Sequence, residues 1–226
     1  MRNLVIPEIA PQTYINTIFC IGRNYAEHAE ELGNKVPDEP VVFIKPNNTI
    51  VFDGGLIMLP ARSKEVHHEV EMVVAIEKEG KNIKPEKADE YILGYGIGID
   101  VTARDIQSKA KSNAHPWSVS KGFDTFAPIS RFVSADEIED PQNLQLKLEV
   151  NGEILQDGNT SDMIFPVNQL IAYLSEIFTL SPGDLIFTGT PPGVSPIQDG
   201  DRIKASLGDD FINMNLYVMN EPSYSI

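Results

Sequence analysis

Residues 146–156 alternate apolar and polar side chains: Leu146-Lys147-Leu148-Glu149-Val150, then Asn151-Gly152, then Glu153-Ile154-Leu155-Gln156. A period of two belongs to a strand with one covered face, and Asn-Gly favours a two-residue turn, so this stretch predicts a β-hairpin. The same pattern predicts strands at 17–21, 41–45, 70–77, 94–101, 184–188, 202–206 and 211–218. The last carries Ile212, Met214, Leu216 and Val218 on one face. Between Pro166 and Leu180 the period changes, with Val167, Leu170, Ile171, Leu174, Ile177 and Phe178 at helical spacing. Pro166 stands near the first helical position, and Ser181-Pro182-Gly183 ends the run. Shorter helices are expected over 25–32, closed by Gly33, and over 104–111. Strands dominate and do not alternate with helices, so the pattern predicts a β-rich α+β fold and not a doubly wound sheet.

Composition narrows the possibilities. With 226 residues, 42% of them hydrophobic, the chain can build one well-cored domain but not two large ones. One domain over 1–226 is expected, with its core at about 16–218. The 33 acidic and 18 basic residues leave a net charge of −15, which argues against sequence-independent binding to nucleic acid or to an anionic membrane. An anionic substrate would then need a local cation: a metal, Arg23, Arg104 or Lys121. Cys20, the single cysteine, cannot form an internal disulfide and reads as a small buried hydrophobe within 17–21. The N-terminal residues lack a secretory pattern, and no window reaches the roughly eighteen apolar residues of a membrane span. A soluble cytoplasmic protein is expected.

The first candidate chemistry lies in His68-Glu69-Val70-Glu71. Glu69 and Glu71 are two apart and share one face of a strand, roughly 6–7 Å apart at Cα. Such like charges repel unless something positive lies between them. A third acid, Asp100, ends another apolar run, Ile97-Gly98-Ile99. A hard divalent cation, Mg²⁺, Mn²⁺ or Ca²⁺, suits three carboxylates, and no thiolate cluster is available for a softer ion. An isolated Glu-x-Glu is more often a solvated edge face, but the apolar run after Glu71 argues for burial. His67 shares the odd-numbered face, as a fourth ligand or a structural histidine, while His68 points the other way.

Gly94, Gly96 and Gly98 lack the spacing of a dinucleotide fingerprint and read as close-packing positions, for backbone or for rings such as Tyr91 and Tyr95. His28 and Glu31, three apart on a short helix, form either a surface pair or a general base oriented by a carboxylate. Residues 22–40 read as a mobile segment able to close over a site. The run 188–193, Thr-Gly-Thr-Pro-Pro-Gly, either offers amides and the Thr190 hydroxyl to an anion or is a tight connection.

Taken together, several strings resemble the fumarylacetoacetate hydrolase family, in particular its short acylpyruvate hydrolase-like members, over residues 16–218. They are Gly22-Arg23-Asn24-Tyr25 with His28, His68-Glu69-Val70-Glu71, 98–105 (Gly-Ile-Asp-Val-Thr-Ala-Arg-Asp), Lys121-Gly122-Phe123-Asp124, Asn151-Gly152, and 188–194 (Thr-Gly-Thr-Pro-Pro-Gly-Val). The resemblance implies a mixed β-sandwich roll, a homodimer, and Mg²⁺ or Mn²⁺ on Glu69, Glu71 and Asp100. It also implies substrate contacts at Arg23, Gln107 and Thr190, and catalytic roles for His28, Glu31 and Lys121. The implied activity is metal-dependent cleavage of the C3–C4 bond of acylpyruvates, with decarboxylation of oxaloacetate as a further reaction of the same enolate. Two alternatives stand beside it: a 2-hydroxyhepta-2,4-diene-1,7-dioate isomerase or decarboxylase, and a non-catalytic divalent-metal-binding protein.

Overall fold

The computed structural model describes residues 5–6, 10–31, 33 and 35–222. Two sheets carry the fold. The larger runs Val41–Lys45, Ile18–Gly22, Leu185–Phe187, Val70–Ile76, Ile92–Ile99, Ala127–Ile129, Ile50–Phe52, and Val133–Ser134 also pairs with Ile92–Ile99. The smaller runs Glu153–Asn159, Gln145–Val150, Arg202–Leu207, Ile212–Asn220, Leu56–Leu59. Pairing is mixed: Leu185–Phe187 is parallel to Ile18–Gly22 but antiparallel to Val70–Ile76. The expected β-rich α+β class holds.

Alternation decides what each face meets. From the smaller sheet Leu146, Leu148, Ile203, Ala205, Met214 and Leu216 point inward, and from the larger sheet Val70, Met72, Val74, Ile97 and Ile99 meet them in one buried cluster. The other face of the larger sheet carries a second cluster that includes Ile18, Cys20, Val73, Ala75, Ile129 and Phe187. A period of two therefore places Glu69 and Glu71 on that second face, in line with Val73 and Ala75. All seven residues of Val70–Ile76 are buried. A one-residue slip would drive Glu71 into the core between the sheets, so the register that positions the carboxylates is strongly enforced.

The hairpin forms as the pattern predicts. Val150 pairs with Glu153, and Asn151 and Gly152 take φ of 54° and 86°, the left-handed values this turn requires. The helix Val167–Ile177 follows Pro166 and buries Val167, Leu170, Ile171 and Leu174 in the main cluster. The final strand is Ile212–Asn220, shifted from the expected 211–218. Three strands of three or four residues, Ile50–Phe52, Leu56–Leu59 and Ala127–Ile129, are too short to display a period. The glycines of Ile92–Ile99 accommodate rings other than Tyr91 and Tyr95: a Cβ on Gly96 would lie 3.1 Å from Phe132, and one on Gly98 would lie 2.5 Å from Phe187. The helix expected over 25–32 spans Ala26–Glu31, and Leu32 lies outside the described residues. Among the described residues no helix is long and apolar enough to cross a membrane.

Candidate active site

Register assembles the three carboxylates. Val70 pairs with Ile99 and Glu71 with Gly98. One step further the amide of Asp100 donates to the Glu69 carbonyl at 2.8 Å, which sets Glu69 and Asp100 side by side at the end of the ladder. Glu69, Glu71 and Asp100 each offer an oxygen, all within 4.8 Å of one another, and none is more than 5% exposed. The edge-strand alternative fails, because Val70–Ile76 lies between Leu185–Phe187 and Ile92–Ile99.

Cations meet two of these acids. The Lys121 ammonium, at the end of the short helix Ser118–Lys121, donates to Glu69 Oε2 at 2.8 Å, to Asp100 Oδ2, and to Thr102 Oγ1 at 2.7 Å. Arg104 donates from one terminal nitrogen to Glu69 Oε1 at 2.5 Å and from the other to Gln107 Oε1 at 2.7 Å. Burial alone would raise the Glu69 carboxyl, but Lys121 and Arg104 outweigh it and hold the group well below the usual carboxylate range. Lys121 is likewise held charged: burial would lower its pKa, but Asp100 and Glu69 raise it above the ordinary lysine value. Lys45 lies 2.7 Å from Asp100 Oδ1. Its three protons go to the carbonyls of Val101, Lys121 and Phe126, so that buried oxygen has a charge beside it but no hydrogen bond.

Glu71 lacks such help. The Gly189 amide donates to its Oε2 at 2.7 Å, yet burial, then the charges of Asp100 and Glu69, push its carboxyl well above the ordinary value. Three converging oxygens, one acid forced toward neutrality and an oxygen-only donor set fit a hard divalent cation.

His67 and His68 take no part. His67 Nε2 sits 2.9 Å from Glu65 Oε1. His68 joins Gln156 Oε1 and Ser195 Oγ, both at 2.8 Å, and Gln156 in turn donates to Thr190 Oγ1 at 2.8 Å. This buried chain fixes Thr190 at the rim of the cleft.

Arg23, His28, Glu69, Glu71, Gln107, Lys121 and Thr190 all line one cleft. His28 is buried and its Nδ1 lies 3.2 Å from Glu31 Oε2, while Glu31 also accepts from the Gly193 amide at 3.1 Å. With Nδ1 donating, Nε2 keeps its lone pair. Burial lowers the His28 pKa against the opposing charges of Glu69 and Glu31, so the imidazole is neutral near pH 7. The start of the supposedly mobile segment is anchored: Asn24 is fully buried and donates to the carbonyls of Thr188 and Phe165, at 2.7 and 3.0 Å. The amides of Gly189 and Gly193 serve Glu71 and Glu31, so 188–193 orients the site's own carboxylates with its backbone while Thr190 lines the cleft.

The model of the fumarylacetoacetate hydrolase C-terminal domain matches residues 17–216. The chain belongs to the fumarylacetoacetate hydrolase family. Among its relatives, the mitochondrial oxaloacetate decarboxylase of Dictyostelium discoideum is 49% identical over 84% of this chain and 88% of its own. The mitochondrial oxaloacetate tautomerase of Arabidopsis thaliana is 48% identical over 84% and 85%. The crystal structure of fumarylpyruvate hydrolase from Pseudomonas aeruginosa, in complex with Mn²⁺ and pyruvate, superposes with a TM-score of 0.87 at 36% identity, covering 92% of this chain and 91% of that one.

Within this family fold, the helix Arg104–Ser112 brings Arg104 and Gln107 to the cleft and adds Lys111, which the sequence motifs did not identify. Arg104, Gln107 and Lys111 lie three and four apart, hence on one helix face, and all three line the cleft beside Trp117 and Phe43. That spacing is visible in the sequence, but it is polar, and polar periodicity ordinarily marks a solvated face. Lys45 and Gln156 left no signal, because their partners are brought in from distant segments.

Proposed function

We propose that the protein is a divalent-metal-dependent enzyme of 2-oxo acids that cleaves the C3–C4 bond of acylpyruvates and also acts on oxaloacetate through the same enolate. The observation that carries this reading is the meeting of a neutral, carboxylate-oriented His28 with Glu69, Glu71 and Lys121 in a single cleft, with Asp100 completing the triad beside them. Glu69, Glu71 and Asp100 would hold Mg²⁺ or Mn²⁺, which supplies Lewis-acid polarisation of the 2-oxo group when bound. Thr190 and Gln107, both lining the cleft, orient the substrate. His28 Nε2 takes a proton from water, whose oxygen attacks the C4 carbonyl. The C3–C4 bond then breaks with its electron pair moving into the enolate of pyruvate, and the acyl group leaves as a carboxylic acid. Lys121 stabilises the enolate charge, and the proton held by His28 returns to C3.

Oxaloacetate reaches the same enolate by losing CO₂ with no water nucleophile, or exchanges a C3 proton with its 2-oxygen. The names of the relatives from Dictyostelium and Arabidopsis favour that substrate. The test is turnover of acetylpyruvate and oxaloacetate with Mg²⁺, with Mn²⁺ and with EDTA, in wild type and His28→Ala. Metal-dependent acetylpyruvate cleavage should fall about 10²–10⁴-fold in the variant. A metal-loaded wild type that turns over neither substrate would sink the reading.

A further inference from the structure

Thr190 reaches the cleft with one side of its hydroxyl already committed, and that commitment starts in the other sheet. In the strand Glu153–Asn159, Ile154 pairs with Glu149 but Gln156 pairs with Leu148, so Leu155 is an extra residue. Without this bulge Leu155 would face inward; with it the amide of Gln156 does, and Gln156 is only 1% exposed. The bulged strand also seats the segment 188–193: a Cβ on Gly193 would strike the Leu155 carbonyl oxygen, and one on Gly158 would lie 2.6 Å from Pro191. A buried amide on an apolar face is costly unless its groups are served. Here all of them are. Gln156 Oε1 accepts from His68 Nδ1 at 2.8 Å and from the Val70 amide at 3.1 Å, and its Nε2 donates to Thr190 Oγ1 at 2.8 Å and to the Pro191 carbonyl at 2.9 Å.

Two backbone groups decide which end of that amide is which. The Val70 N–H can only donate, so the atom facing it is oxygen; the Pro191 carbonyl can only accept, so the atom facing it is nitrogen. His68 Nδ1 must therefore carry a hydrogen, and Thr190 Oγ1 must accept one. Among the described residues nothing accepts the hydrogen of Thr190 itself, and Thr190 lines the cleft. We propose that Gln156, held by His68, is a positioning residue that fixes the Thr190 hydroxyl as a donor into the cleft, reserving that edge of the site for a ligand oxygen with lone pairs to offer. This rests on the 2-oxo acid reading above, since the carboxylate and 2-oxo oxygens of such an acid are of that kind. Through Val70 the same amide oxygen is tied to the strand of Glu71, so one side chain from the smaller sheet aligns the triad's strand with the donor at the cleft edge.

Calorimetry with oxalate on Mn²⁺-loaded protein tests it, since oxalate presents only acceptor oxygens. Gln156→Glu keeps the bonds from His68 and Val70, which favour the ionised carboxyl, but puts an acceptor where the amide nitrogen stood. The Thr190 hydrogen must then turn back from the cleft, and oxalate should bind about 10- to 100-fold more weakly, the range of a hydrogen bond to a charged group. Gln156→Met abandons all four bonds of the amide yet only frees the hydroxyl to rotate among its staggered positions, and should cost about 3-fold. A merely structural role reverses that order, because the variant that loses more bonds would then bind worse. The effect of the added charge drops out when Gln156→Glu is repeated in Thr190→Val, where its penalty should shrink by at least about 3-fold. No loss in Gln156→Glu, a greater loss in Gln156→Met, or equal penalties in the two backgrounds overturns the positioning role alone. Failure of wild type to bind oxalate overturns the 2-oxo acid reading and the positioning role with it.

Discussion

At Glu71 burial and charge conflict most directly, and the sequence already pointed to it: two acids two apart, leading into an apolar strand, are costly without a cation. The conflict gives a prediction with a definite sign. In metal-free protein the Glu71 carboxyl is raised above its unfolded value, first by burial and then by Asp100 and Glu69, so the folded state keeps a proton that the unfolded chain releases. Its contribution to stability is present below the unfolded value of about 4.3 and is lost as pH climbs toward the raised folded value. Glu71→Gln cannot ionise and escapes that loss. Urea denaturation in EDTA should therefore find the variant gaining on wild type between pH 4 and pH 8. A difference that stays flat across that range would show that Glu71 holds no proton in the folded state. Lys45 is the opposite case at this scale. Nothing in the strand 41–45 marks this lysine, and only the packed chain places its ammonium among three carbonyls and Asp100.

Elements were legible where they are long enough to repeat a pattern. The hairpin around Asn151-Gly152 and the helix Val167–Ile177 each run through several periods, whereas Ile50–Phe52 and Ala127–Ile129 end before a second repeat and are defined by their neighbours in the sheet. The glycines of Ile92–Ile99 were legible as close-packing positions but not by partner, since Phe132 and Phe187 come from other segments. Gly98 ties packing to the site, because it faces Glu71 across the ladder and a Cβ there would lie 2.5 Å from Phe187 and 2.7 Å from Val73. Gly98→Ala should cost about 1–3 kcal/mol by overpacking. Because Leu185–Phe187 leads directly to the Gly189 amide on Glu71, the same substitution should also weaken Mn²⁺ binding. Gly152→Ala, in an open turn at φ 86°, serves as the comparison. It should cost about 1 kcal/mol and leave Mn²⁺ affinity unchanged, so equal affinities in the two variants would separate the glycine packing from the site.

Over the whole molecule, the cleft draws on residues from Arg23 to Thr190, and no single string in the chain contains enough of it to specify a reaction. The acids were legible because their cost is local to each strand. Arg104 and Lys121 were legible as candidate cations but not their pairing with particular acids, and Lys45 was not legible at all, because charge compensation is settled by tertiary contact. With a net charge of −15, any divalent ion screens repulsion and stabilises the fold somewhat, so stabilisation alone does not identify a site. A built site adds a stabilisation that sets in at low ion concentration, near its Kd, and depends on one residue. Mn²⁺ at 100 times its Kd should stabilise the protein by about 2.7 kcal/mol. At about 2–4 °C per kcal/mol for a chain of this size, Tm should rise by roughly 5–11 °C at that concentration and go on rising with the logarithm of the Mn²⁺ concentration. Glu71→Gln should lose the site-specific rise and keep only the weak increase, at higher Mn²⁺ concentration, common to an acidic protein. Titrating Mn²⁺ into EDTA-stripped wild type and variant by thermal melting separates the two contributions. Parallel curves for the two proteins would mean that the ion acts on the overall charge and that the three carboxylates do not form its site.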